Sequence, residues 1–206
     1  MSFPDRPYDS IAGFFDAYAG QLAAAAASVS REALDRAQAL LGEAIGRDAH
    51  VYACGNGGSA AISNHLVCDH ARGVSADTGL RPRVHSLSAT VEILTAIAND
   101  VDYAEVFAHQ LKLLARPGDV LVTISSSGNS ENVVRAVEWA RANGMATIAM
   151  TGFGGGRTAA LADVNLHVAA DNYGVVEDLH QSLMHVLAQY IRLARMPAAL
   201  VSERNF

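Results

Sequence analysis

Residues 119–130 read Asp-Val-Leu-Val-Thr-Ile-Ser-Ser-Ser-Gly-Asn-Ser. An apolar run leads directly into hydroxyl side chains around Gly128, and a segment with helical periodicity follows; the hydroxyl residues are Ser125, Ser126, Ser127 and Ser130. A strand that ends this way brings hydroxyls, backbone N–H groups and the positive end of a helix dipole to one point. The stretch therefore predicts a site for a small dianion. A serine-rich turn with an ordinary helix cap is the alternative reading.

Short β-rich runs alternate with helices from His50 onward. The runs are Val51–Cys54, Arg83–Leu87, Val120–Ser125, Ala146–Thr151 and Val164–Val168, and the helices between them cover about 59–72, 92–114, 129–143 and 175–194. Such alternation predicts βαβ crossovers, and hence an α/β three-layer sandwich around a parallel five-stranded sheet. Ligands of these sheets lie at the carboxyl ends of the strands, where the serine stretch falls.

The first 47 residues predict two helices ahead of the sheet. Ser30 is placed to cap the second helix, and both carry alanine and leucine at helical spacing. An apolar helical hairpin in this position predicts a subunit contact. With no obvious interior linker, residues 1–206 are expected to form a single domain.

Composition excludes several classes of protein. Half of the residues are hydrophobic, 17% are charged, and the net charge is −6 without a long basic run. General disorder and nucleic-acid binding are therefore not expected. The start lacks a signal-peptide pattern, no apolar run reaches membrane-spanning length, and Cys54 and Cys68 form no disulfide framework. These features predict a cytoplasmic protein without membrane partners.

A second loop, residues 54–60, contains glycines at the end of the first predicted strand. Gly55, Gly57 and Ala60 match the dinucleotide fingerprint, which also needs an acidic residue at the end of the second strand. That strand ends Val-His-Ser-Leu-Ser at 84–88, without an acid. No nucleotide cofactor is therefore expected, and the glycines are interpreted as a close backbone approach to another ligand.

Histidines and carboxylates concentrate in two predicted helices. His65 and Asp69 stand at i and i+4, on one face and close enough to share a metal or a proton relay. In the second helix, either Glu177 or Asp178 could accompany His185, and periodicity alone does not choose between them. Each of these residues could also be an ordinary surface or core residue.

Taken together, five motifs resemble the sugar isomerase (SIS) domain family, a flavodoxin-like α/β fold. They are Gly-Asn-Gly-Gly-Ser at 55–59, His65, Ala-Asn-Asp at 98–100, Gly-Asp-Val-Leu at 118–121 and Ser-Ser-Ser-Gly-Asn-Ser at 125–130. Within the family, the chain is similar to the sedoheptulose 7-phosphate isomerases, or phosphoheptose isomerases. The resemblance implies a homotetramer, an aldose–ketose isomerase acting through an enediol, and a site that holds zinc in several members.

The resemblance also implies roles for individual residues. Those implied to bind the substrate or its phosphate are Asn56, Gly57, Gly58, Ser59, Asp100, Ser125, Ser126, Ser127 and Ser130. The implied catalytic pair is Asp69 and His185, one as base and the other as acid. The implied metal ligands are His65, Asp69, Glu177 and His185.

Three positions depart from the family pattern. Asp69 replaces the usual glutamate and is shorter by about 1.5 Å, one C–C bond. Glu177 carries a charge where the family usually has a neutral glutamine, which favours a dication. Gly174 lacks an acidic side chain that contacts substrate in the family. Isomerisation of another phosphorylated sugar therefore stays open. So does a non-catalytic adaptor that binds a sugar phosphate or a replication initiator, since the fold alone does not fix activity.

Overall fold

A computed structural model describes residues 3–206. The eight α-helices of this part of the chain are α1 (Ile11–Ser28), α2 (Arg31–Gly46), α3 (Gly58–Cys68), α4 (Val91–Asp100), α5 (Val106–Leu114), α6 (Glu131–Ala142), α7 (Gly156–Leu161) and α8 (Tyr173–Leu193). The five strands are β1 (His50–Gly55), β2 (Arg83–Ser86), β3 (Val120–Ser125), β4 (Ala146–Thr151) and β5 (Val164–His167). Short 3-10 turns cover Tyr103–Glu105 and Ala198–Leu200, and a π-helical turn covers Asp69–Val74.

The strands form one parallel sheet in the order β2-β1-β3-β4-β5. The chain starts at β1, next to one edge, adds the edge strand β2 and then returns past β1 to add β3, β4 and β5 on the other side. This is the flavodoxin-like order, whose topological switch point lies between β1 and β3. The predicted fold class is confirmed.

Alternate residues of each strand face opposite layers of helices. In β1, Val51 and Ala53 join a core cluster with α2, α3 and α8, whereas Tyr52 and Cys54 join a second cluster with α4, α5 and α6. Because both faces are covered, β3 is buried at every position and carries no polar–apolar alternation. The sheet therefore forms the middle layer of a three-layer sandwich.

The two N-terminal helices are confirmed, and both contact α8. Ser10 and Ser30 cap them, each side-chain hydroxyl accepting a backbone N–H three residues on. Each cap fixes where its helix begins. No helix in the described residues is long and apolar enough to cross a membrane.

Two predicted helix boundaries were wrong, and one short helix was missed. The helix expected over 92–114 is broken after Asp100, because Asp102 accepts a hydrogen bond from the Ala104 N–H at 2.8 Å and starts a new turn. The helix expected over 59–72 is α-helical only to Cys68 and then widens into the π-helical turn. The short helix α7 was not predicted, because its glycine-rich start resembles a plain loop.

Candidate active site

The serine stretch forms a pocket at the carboxyl edge of the sheet. Ser125 ends β3, and Ser130 is the N-cap residue of α6. The cavity measures about 140 Å³. It is lined by Asn56, Ser59, Ile124, Ser125, Ser126, Ser127, Ser130, Tyr173 and Glu177. Five serine hydroxyls, four from the stretch between β3 and α6 and one from the start of α3, thus converge on a space that suits a small anion.

Gly128 allows this loop to turn. Its φ is +64°, and a side chain there would place Cβ 1.9 Å from the backbone oxygen of Gly155. The Gly128 N–H donates to the backbone oxygen of Ser125 at 3.1 Å, and its carbonyl accepts from the Thr158 N–H at 3.0 Å. Only glycine fits both the left-handed conformation and the close backbone approach.

The glycine loop after β1 forms a second wall. A Cβ on Gly55 would lie 2.7 Å from the backbone oxygen of Ile124, so glycine lets the two loops approach. Ser59 is buried in the first turn of α3. The N-termini of α3 and α6 therefore both point at the pocket, and each adds a partial positive charge.

Asn56 is held by two residues that sequence reasoning missed. Its side-chain amide exchanges hydrogen bonds with that of Asn132, at 2.9 and 3.0 Å, and its Oδ1 also accepts from the Tyr103 hydroxyl at 2.9 Å. Asn132 is buried in the first turn of α6. An asparagine so close to a helix start resembles an ordinary cap, and Tyr103 is 47 residues from Asn56, so neither gave a local signal.

A separate cluster joins α3 to α8. Asp69 Oδ2 lies 2.5 Å from Nδ1 of His185, and Asp69 Oδ1 lies 3.2 Å from Nε2 of His65. The two imidazole rings stand nearly perpendicular, with centroids 5.0 Å apart. Side-chain exposure is 19% for Asp69, 38% for His185 and 49% for His65. The carboxylate is therefore shielded, while both rings are partly exposed.

The structure pairs His185 with neither of the two acids of α8. Asp178 accepts a hydrogen bond from the Tyr18 hydroxyl at 2.6 Å, so it is occupied by α1, and the partner of His185 is Asp69. Burial raises the pKa of Tyr18 to about 12, and the hydrogen bond to Asp178 contributes to the same effect.

Tyr18 also lies beside Gly174: a Cβ on Gly174 would be 2.9 Å from the Tyr18 oxygen. Tyr18 thus occupies the space beside Gly174, where the family pattern has an acid.

Two predicted site residues lie apart from the side chains with which they were grouped. Glu177 lines the serine pocket instead of the His–Asp cluster, and its carboxylate Oε2 lies 2.3 Å from where a Gly58 Cβ would be. Glu177 precedes His185 by eight residues, or about 12 Å along the helix axis. Asp100 does not line the pocket, and its carboxylate accepts from the Asn99 side chain at 2.7 Å. Gly57 and Gly58 are exposed at the start of α3.

Comparison with known proteins identifies the family. The SIS domain family model matches residues 14–152, which is more than half of the chain. The chain belongs to the SIS domain family. Phosphoheptose isomerase from Desulfovibrio desulfuricans is 43% identical over 147 residues, which cover 70% of this chain and 69% of the relative. The same enzyme from Alteromonas mediterranea is 35% identical over 177 residues, covering 84% and 89%.

Solved structures agree with this assignment. Phosphoheptose isomerase from Neisseria gonorrhoeae superimposes with a TM-score of 0.78 at 35% identity, covering 88% of this chain and 96% of that chain. The enzyme from Francisella tularensis gives a TM-score of 0.80 at 28% identity, covering 90% and 97%. Both the SIS family and the phosphoheptose isomerase branch expected from the motifs are confirmed.

The His–Asp cluster of this SIS domain has a donor set that suits zinc. His65, Asp69 and His185 each offer one ligand atom, and these atoms lie within 4.8 Å of one another. Two imidazoles and one carboxylate with a free fourth position are typical of catalytic zinc centres. Gln181, which sequence reasoning also missed, lies with its Nε2 2.9 Å from Nε2 of His185.

Proposed function

We propose that this SIS domain interconverts sedoheptulose 7-phosphate and D-glycero-D-manno-heptose 7-phosphate. Its relatives at 35–43% identity are named phosphoheptose isomerases, and the fold is shared along nearly the full length. The observation that carries the proposal is one arrangement: α3 and α8 both contribute to the lining of the anion pocket, and the acid–base pair is His185 of α8 and Asp69, which directly follows α3.

The separation of pocket and cluster fits the length of such a sugar. Along α3, Ser59 precedes His65 by six residues, or about 9 Å, and along α8 Glu177 precedes His185 by about 12 Å. An extended seven-carbon chain with a terminal phosphate spans about 10 Å by ordinary bond lengths. A phosphate in the serine pocket therefore leaves the carbonyl end within reach of Asp69 and His185.

The mechanism follows from this placement. Hydroxyls and helix N-termini hold the phosphate, so binding energy from a remote group positions the reacting carbons. From the ketose, a base removes a proton from C1 while an acid protonates the C2 oxygen, giving the enediol. Return of a proton to C2 and loss of the proton from the C1 oxygen give the aldose. Asp69 and His185 supply the base and the acid.

We propose zinc as the metal of this site, held by His65, Asp69 and His185. Bound there, it would polarise the carbonyl and stabilise the enediolate. Elemental analysis of protein purified without chelator tests this part: about one zinc per chain is expected, and His65→Ala should reduce it. A wild-type protein without stoichiometric dication would contradict the metal proposal.

We also propose a homotetramer of single-domain subunits, 1–206, in which the N-terminal helices contribute to contacts. Large apolar side chains are exposed on two helices: Ile11 (82%) and Phe15 (65%) on α1, and Val186 and Tyr190 (54% each) on α8. Surfaces of this kind commonly mark subunit contacts. Sedimentation equilibrium tests the mass, and Ile11→Glu with Phe15→Glu is expected to dissociate the assembly.

We also propose a cytoplasmic location, because both cysteines, buried Cys54 and exposed Cys68, are free thiols, and thiols stay reduced in the cytosol.

The activity test uses the ketose and several other phosphorylated sugars. Incubation with sedoheptulose 7-phosphate, followed by NMR detection of the aldose, is expected to show turnover. Turnover of another phosphosugar alone would reassign the substrate, which the departures at Asp69 and Gly174 leave open. Saturable binding without turnover would favour an adaptor.

A further inference from the structure

Gln181 is the residue that contacts His185 on the side away from Asp69. It lies one helical turn before His185 on α8, and both side chains are partly buried. The Gln181 side-chain nitrogen is 2.9 Å from Nε2 of His185, and Nδ1 of the same ring is 2.5 Å from Asp69. Both ring nitrogens are thus engaged by protein groups.

The two contacts require the same form of the imidazole. An ionised carboxylate only accepts hydrogen bonds, so Nδ1 carries the proton and donates to Asp69. An amide nitrogen only donates, so Nε2 of the neutral ring accepts from Gln181. In a neutral histidine, the hydrogen bond made by one ring nitrogen decides whether the other ring nitrogen carries the proton. Asp69 and Gln181 therefore favour the same Nδ1–H form.

A metal on the Asp69 side would reverse this requirement. A dication bound by Nδ1 displaces its proton, and the neutral ring then carries its proton on Nε2. A metal-bound histidine usually donates this other N–H to a nearby acceptor, which fixes the ring. Glutamine presents a donor and an acceptor on one amide, so the same side chain can serve both states by turning over.

We propose that Gln181 is a positioning residue for His185, donating to Nε2 in the metal-free protein and accepting from Nε2–H when zinc is bound. The second half of this inference rests on the proposed zinc site; the first half does not. Loss of a residue that orients a metal ligand typically weakens metal binding by about 10- to 100-fold.

The test compares Gln181→Leu, which removes both functions, with Gln181→Glu, which keeps only the acceptor. Gln189→Leu makes the same change at an exposed position of the same helix and serves as control. Two quantities are measured on the full chain: the ¹⁵N resonances of His185, assigned with the His185→Ala protein, and the dissociation constant for zinc.

In metal-free wild type, His185 is expected to show a protonated Nδ1 and an unprotonated Nε2, and Gln189→Leu should match it. Gln181→Leu should keep Nδ1 protonated through Asp69, but the Nε2 resonance should shift because the hydrogen bond from the amide is lost, and zinc should bind about 10- to 100-fold more weakly. Gln181→Glu should protonate Nε2, yet bind zinc within a few-fold of wild type. If Gln181→Leu keeps both the wild-type Nε2 resonance and the wild-type zinc affinity, the inference is overturned.

Failure of the proposed zinc site gives a different result. Wild type would then bind no zinc, while the shift of the Nε2 resonance in metal-free Gln181→Leu would still show the positioning role. A protonated Nε2 in metal-free wild type would overturn that role directly, because it would mean that the amide accepts from the ring.

Discussion

Replacing Gly128 by alanine should damage the serine pocket far more than the same change at Gly79. Both glycines have a left-handed backbone, with φ of +64° and +72°. They differ in the space available to a side chain: a Cβ at Gly128 would lie 1.9 Å from the Gly155 oxygen, whereas a Cβ at Gly79 would meet no atom within 4 Å. The pair therefore separates backbone strain from steric overlap.

The magnitudes follow from these two terms. A left-handed alanine costs about 1 to 2 kcal/mol, and this is the whole expected loss for Gly79→Ala. Overlap with a backbone carbonyl cannot be relieved by a side-chain rotation, so the two loops must separate, at about 1 to 3 kcal/mol more. Gly128→Ala should thus lose about 2 to 5 kcal/mol of unfolding free energy.

Urea unfolding measures the first effect, and isothermal titration with inorganic phosphate measures the second. Gly79→Ala should bind phosphate as wild type does, and Gly128→Ala should bind it at least tenfold more weakly, because the hydroxyls no longer converge. Equal destabilisation of the two variants, or unchanged phosphate binding by Gly128→Ala, would refute the role assigned to this loop.

Three further changes have defined outcomes. Glu177→Gln removes a negative charge from the pocket wall, so the phosphate Kd should fall about five- to tenfold, a gain of about 1 kcal/mol from lost repulsion. Calorimetry measures this Kd. A loss of bound zinc in the variant would instead support Glu177 as a metal ligand. Asn132→Ala frees Asn56 and should raise KM several-fold while costing about 1 to 2 kcal/mol of stability, and an unchanged KM would count against Asn56 as a substrate contact. Burial lowers the pKa of His180 to about 4. Below about pH 6.5 the unfolded chain therefore takes up a proton that the folded protein does not, and the free energy of unfolding falls by about 2 kcal/mol between pH 6.5 and 5. The urea midpoint should shift less over this range in His180→Leu than in wild type, and equal shifts in both proteins would contradict the low pKa of His180.

The fold could be predicted because its signal is local. Each strand of the sheet is a short β-rich run, and each loop of the pocket follows its strand directly in sequence. The failure at 92–114 also has a local cause, since apolar periodicity continued through Asp102 although its side chain caps a new turn. Periodicity reports the buried face of a helix but not a break within it.

The site was only partly predictable because its pairs are far apart in sequence. Asp69 and His185 are 116 residues apart, and Tyr18 and Asp178 are 160 apart. Helical spacing left two acids of α8 open for His185, but the packed chain gives His185 a third acid, Asp69, as its partner. The helix of Glu177 was predicted, but the residues that Glu177 contacts were not, because they depend on how α3 packs against α8.

We assign the chemistry of sugar-phosphate isomerisation to Asp69 and His185. The most direct test follows aldose formation from sedoheptulose 7-phosphate by wild type, Asp69→Asn and His185→Ala, with Asp178→Asn as the matched control. Wild type and Asp178→Asn should turn over at similar rates, because asparagine still accepts from Tyr18. Asp69→Asn and His185→Ala should each lose at least about 100-fold in kcat, the scale of general acid–base catalysis. Turnover within twofold of wild type in either of these two variants would contradict the account.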